Sequence, residues 1–197
     1  MHYIQKRTVT PALYPVTVAE CKADLRIQHS AEDDLIESLI ADATDYMDAP
    51  NGVIGKALIT QTWEISTRIS IVDSRIYIPI TPVQEISSIQ YYDAENATQS
   101  LDVDDFLLIG DENSAFIEPL SGTSWPSTYD RPDAVKITVI AGFGDYQNQV
   151  PNSIRRAIRL LVAHWFEHRH AVTESSYSEM PLAVENLVGI NRKGWVA

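Results

Sequence analysis

The spacing of apolar positions changes twice along this chain. Between Ser30 and Gly52, residues Leu35, Ile36, Leu39, Ile40, Ala43, Tyr46 and Met47 recur at three- and four-residue intervals, which puts one apolar stripe on a helix. Ser30 stands where a capping hydroxyl is expected, and Glu32, Asp33 and Asp34 fall at the positive end of the helix dipole. Pro50-Asn51-Gly52 stops the element. A shorter helix is expected before it, over 18–26, because Thr17 followed by Glu20 has the spacing of a capping box.

From Leu58 to Ala141 the period drops to two. The runs LITQTWEIST, RIYIPI, ISSIQYYD, FLLI, AFIEP and AVKITVIAG are rich in β-branched and aromatic residues and read as strands. Ile76, Ile78 and Ile80 alternate with Tyr77 and Pro79, so one face is apolar. YDAENATQS reads as a hairpin connection and SGTSWPSTYDRPD as a loop. No helix-length segment separates the strands, which predicts antiparallel pairing.

Helical spacing returns after Val150. Pro151 suits a first helical position, and Ile154, Ile158, Leu161, Val162 and Trp165 form the apolar face, with Arg155, Arg156 and Arg159 towards the other side. VTESSYSEMP reads as a polar linker, LAVENLVGI as a short amphipathic segment and NRKGWVA as a tail. The expected fold class is α+β: a small helical bundle (two N-terminal helices plus a long C-terminal helix) with an inserted antiparallel β region. The expected boundaries are 1–57 and 148–197 for the helical core with its tail, and 58–147 for the insertion.

Composition narrows the picture. Hydrophobic residues make up 45% of 197, enough for a core without covalent staples. Cys21 is the single cysteine, which excludes an internal disulfide and a cysteine zinc cluster. It lies in a short helix beside Lys22 and reads as packing, not as a nucleophile. The net charge of −12 and pI near 4.7 argue against a protein that grips nucleic acid, since that requires cations against phosphate. No apolar run is long enough to span a bilayer, and the first residues lack the apolar core of a signal peptide, so no membrane partner is expected.

The sharpest chemical motif is in AHWFEHRH, residues 163–170, where His164, Glu167 and His168 spell H-x-x-E-H. In one metalloprotease class that spelling holds zinc between two imidazoles with a glutamate base beside them. At 100° per residue the histidines lie about 40° apart, at the border of the apolar face. A catalytic zinc needs a third ligand, and downstream only His170, Glu174, Glu179 and Glu185 offer one; His170 points to another face, and His2 and His29 are far away in sequence. A zinc-dependent hydrolase is therefore the alternative, and a packed helix with incidental histidines the preferred reading. G-x-S-x-G and the phosphate-cradling G-x-x-x-x-G-K-[ST] are absent. AGFGDYQ has G-x-G without a third glycine and reads as a turn between strand and helix, and the carboxylates of YYDAENATQSLDVDD read as solvated hairpin charges.

In their order, PVTVAECKADLRI, DDLIESLIADATDYMD, GKALITQTWEI, IPITPVQEISSIQYYDAENATQSL, VKITVIAGFGD and VPNSIRRAIRLLVAHWFEHRHAV resemble the head–tail connector (adaptor) proteins of long-tailed phages, in the longer form also found in prophages and gene-transfer agents. In that family the last long helix runs into a His-Trp or His-Tyr pair, a Glu and an Arg without metal chemistry; His164, Trp165, Glu167 and Arg169 stand there, and His168 alone completes the protease-like spelling. The resemblance implies a structural virion protein with no enzyme activity and no cofactor. Its copies form a ring, of about twelve subunits, on the portal at the neck of a particle assembled in the host cytoplasm. The implied partners are the protein itself, the portal and a downstream neck or tail-completion protein, with DNA passing through the channel unbound. Another virion part of similar build, such as a tail-completion protein, is a further alternative. MPLAVENLVGINRKGWVA departs most from the family pattern, yet Leu187, Ile190, Arg192, Lys193 and Trp195 have the composition of a docking segment that orders on binding a partner.

Overall fold

A computed structural model describes residues 3–68, 75–168 and 182–192. The chain is α+β and divides into two compact units, one drawing on Met1–Pro11 and Thr60–Phe143, the other on Ala12–Ile59 and Gly144–Lys193.

The first unit holds eight strands: β1 (Ile4–Val9), β2 (Gln61–Thr67), β3 (Ile76–Ile78), β4 (Val83–Tyr92), β5 (Thr98–Leu101), β6 (Phe106–Gly110), β7 (Ala115–Pro119) and β8 (Val135–Ala141). They form a five-stranded sheet in the order β1-β2-β8-β4-β5 and a three-stranded sheet in the order β3-β7-β6, antiparallel throughout. The predicted alternation is present: Ile76 and Ile78 are buried while Tyr77 is exposed, and on β8 Val135, Ile137, Val139 and Ala141 are buried between half-buried neighbours. Ile65, Ile89, Ile137 and Val139 from one sheet and Ile76, Ile78 and Ile117 from the other are among the dry residues of this unit.

Two strands leave no trace in the hydropathy. β1 reads IQKRTV and β5 reads TQSL, mostly polar on both faces because each lies at a sheet edge with little to cover it. The β4–β5 hairpin is built by Asp93, whose carboxylate accepts the Glu95 and Ala97 N–H groups at 3.1 and 2.8 Å and the Gln99 side-chain amide at 2.7 Å. The Gln99 bond first, then the one from Ala97, holds its pKa below the ordinary carboxylate value. Asp102 likewise caps a short helical turn by accepting the Asp104 N–H. Part of the acidic run is thus turn chemistry.

The second unit is helical: α1 (Val18–Leu25), α2 (Asp33–Met47), α3 (Asn152–Glu167) and α4 (Leu182–Asn191). The capping box forms as expected, with the Glu20 N–H donating to Thr17 Oγ1 at 3.2 Å and the Thr17 N–H donating to the Glu20 carboxylate at 2.9 Å. The expected cap of α2 does not form. Glu32 occupies the N-cap position without a side-chain capping bond, and Ser30 instead offers its carbonyl to the Asp33 N–H at 3.2 Å. A turn over residues 29–32 delays the helix start and carries the Ser30 hydroxyl past the free N–H groups. Asp33 and Asp34 still sit in the first turn, where the dipole favours them.

From α2, Ile36, Ile40, Ala43 and Met47 are buried, and from α3, Ile154, Ala157, Ile158, Leu161 and Val162. Trp165 is only half-buried and meets the Tyr46 ring edge-on at 6.3 Å. Two arginines of α3 pair with carboxylates of α1. Arg155 pairs with Glu20, and Arg159 grips Asp24 through two nitrogens at 2.7 and 3.1 Å, fastening α3 to α1. These partly exposed pairs orient the helices more than they stabilise them, at about 1 kcal/mol or less each.

Cys21 is 1% exposed in α1, and burial pushes its thiol up to about 12. At pH 8 the folded protein should therefore resist iodoacetamide for hours, whereas urea-unfolded protein is alkylated within minutes. Rapid labelling of native protein, read by mass spectrometry, would contradict the packing described for α1.

Candidate functional site

His164 lies in the last turn of α3 and His168 just beyond it. Their rings are tilted by 36° with centroids 4.6 Å apart. His168 Nδ1 is 2.9 Å from the His164 carbonyl and donates to it, since a carbonyl can only accept. That bond makes His168 part of the helix terminus. Glu167 is exposed, and among the described residues no group of three or more His, Cys, Asp or Glu side chains is placed to hold a metal. Glu185 lies on α4, while His170, Glu174 and Glu179 are outside the described residues. Purified protein should carry well under one zinc per chain by elemental analysis, and H168A should leave that figure unchanged; one tightly held zinc lost in H168A would restore the hydrolase alternative.

The G-x-G of AGFGDYQ is a turn. Gly142 and Gly144 have φ of 138° and 153°, in a region that favours glycine, and a Cβ on Gly144 would lie 2.3 Å from the Gln149 side chain. Gln149 uses that side chain to accept the Tyr146 N–H at 2.9 Å, just before α3 begins.

The proposed docking residues divide by position. Val184 and Val188 are buried, and Asn191 ties the end of α4 to α3 by donating to Ser153 Oγ at 2.9 Å. Leu187 is half-buried and Arg192 is exposed, with its Nε donating to the Val53 carbonyl at 3.0 Å. Leu182 and Ile190 are 76% and 79% exposed. Both lie across the helix from Val184 and Val188, so α4 is seated by one apolar edge and shows another to solvent. Lys193 and Trp195 lie outside the described residues, as does Arg169. The segment Leu182–Asn191 is helical.

The model of the phage gp6-like head-tail connector protein family matches residues 15–107. The matched span takes in α1, α2, β2 to β5 and the start of β6. A search of individually curated proteins found no match in sequence. Among solved structures, this chain is similar to a component of the neck of an empty gene transfer agent particle computed with C6 symmetry. The TM-score is 0.79 at 24% identity, over 98% of this chain and 97% of that one. It is similar to a component of the virion of a native gene transfer agent particle at TM-score 0.75 and 23% identity, with 98% and 97% covered. A third likeness is to the neck of the native particle computed with C12 symmetry, at TM-score 0.69 and 23% identity, over 100% and 98%. At that identity the likeness concerns the fold alone. Among the described residues no helix is long and apolar enough to cross a membrane.

Proposed function

We propose that this protein is a structural neck adaptor: copies of it form a ring at the head–tail junction of a phage-like particle, and it catalyses no reaction. The observation that carries this reading is the pairing of a connector-family match with near full-length likeness to neck components. Those components belong to particles of C6 or C12 symmetry, which supports a closed cyclic assembly. The acidic composition supports a channel wall along which DNA slides, because few cations are available to hold its phosphates.

The finer assignments belong to the same proposal. The helices within 1–57 and 148–197 face the portal, and Leu187, Ile190, Arg192, Lys193 and Trp195 make the contact, while β1 stays with the sheet unit. The exposed apolar edge of α4, with Leu182 and Ile190 more than three-quarters exposed, supports a partner there. The β portion, 58–147, faces neighbouring copies and the next neck or tail-completion protein. The test is electron microscopy of purified protein mixed with its portal, and of particles that contain it. A ring of twelve copies at the neck is expected; the protein found elsewhere in the particle, or no ring with portal, sinks the reading.

A further inference from the structure

Among the described residues, the five-stranded sheet ends on both sides in strands with one neighbour each, β1 on β2 and β5 on β4. In each, alternate backbone N–H and C=O groups point away from that neighbour. Neither edge is covered by its own side chains: Ile4, Lys6, Thr8 and Val9 of β1 are exposed, as are Thr98, Gln99 and Ser100 of β5. We infer that these two edges are the two halves of one contact, in which β5 of one copy adds to β1 of the next.

Charge supports this occupant. β1 carries Lys6 and Arg7 in a chain of net charge −12, while β5 is uncharged and flanked by the exposed carboxylates of Glu95, Asp102, Asp104 and Asp105. An edge paired with its own kind about a twofold axis would set cations against cations, or carboxylates against carboxylates. Only the unlike pairing brings opposite charges together, and unlike pairing is the heterologous kind that builds rings. Strand direction agrees. Five antiparallel strands leave β1 and β5 running the same way. A small rotation from copy to copy keeps that direction, so the new pair is parallel, whereas a twofold contact would be antiparallel. The competing explanation for Lys6 is a charge that keeps an edge from aggregating, and it predicts no effect of reversing Lys6 on ring formation.

The inference rests on the ring reading, and its test separates the two. Rings are assembled from the full chain with portal and counted by electron microscopy. K6E should raise the protein concentration needed for ring formation by about tenfold, and adding D104K to K6E should restore most of it. In wild-type background, K6C with S100C should join copies into a covalent ladder when treated with a short bismaleimide, while K6C alone stays monomeric; Cys21 is buried and does not compete. If wild-type rings form, K6E rings form equally well and the double-cysteine protein gives no ladder, the edge contact is wrong and the ring stands. A covalent dimer from K6C alone also overturns it, by showing a twofold β1 contact. If the wild type forms no ring, the reading beneath fails and takes this inference with it.

Discussion

I158A should lose about 2–5 kcal/mol of unfolding free energy and I158V about 0.5–1.5 kcal/mol, measured by urea unfolding followed through helical circular dichroism. Ile158 is fully buried at the middle of α3, the helix against which α1, α2 and α4 all pack. Removing its outer carbons leaves a void walled by several elements at once. No single helix can settle into it without leaving its other contacts, so the upper part of the range is expected. The ion pairs to Glu20 and Asp24 limit any slide of α3 along α1. A loss under about 1 kcal/mol for I158A would mean that α3 is not the centre of the helical unit.

That centre was legible in the sequence, and the reason is physical. A long helix that touches neighbours on one side writes its buried face as a 3.6-residue repeat, so the α2 stripe and Ile154, Ile158, Leu161 and Val162 stand out in hydropathy alone. Buried strands such as β8 write a two-residue repeat with equal clarity. What periodicity cannot supply is a partner. Nothing in the spacing of Arg155 and Arg159 says that Glu20 and Asp24 lie opposite; only the tertiary arrangement brings together residues 135 positions apart. Edge strands fail for a related reason. β1 and β5 are defined by backbone pairing on one side and have no two-sided burial to impress a pattern on their side chains. Ser30 failed as a cap because capping depends on a backbone angle, and one extra turn moves the hydroxyl away.

The H-x-x-E-H motif and α4 show the same limit at the level of function. Three letters place two imidazoles on neighbouring faces of a helix, but the ring nitrogen of His168 turned to the His164 carbonyl is a local choice that no spacing reveals. On α4 an apolar count marks an amphipathic segment. It does not tell which apolar residues are spent on α3 and which remain for a partner, and that division decides where a docking contact lies.

L182Q/I190Q is expected to unfold within about 0.5 kcal/mol of wild type yet bind portal about thirtyfold more weakly, a loss of about 2 kcal/mol. Both side chains are already in water in the single chain, so replacing them removes no internal contact. If a portal surface covers them, the variant forfeits the burial of two aliphatic side chains and desolvates two amides, which is how exposed apolar anchors come to dominate an interface. V188Q is the necessary contrast. Val188 is 4% exposed against α3, so its replacement should destabilise the protein and weaken binding together. Portal affinity measured by biolayer interferometry beside urea midpoints separates the cases. Wild-type affinity in L182Q/I190Q with wild-type stability would remove α4 from the contact, and the portal would have to be held by another face of the chain.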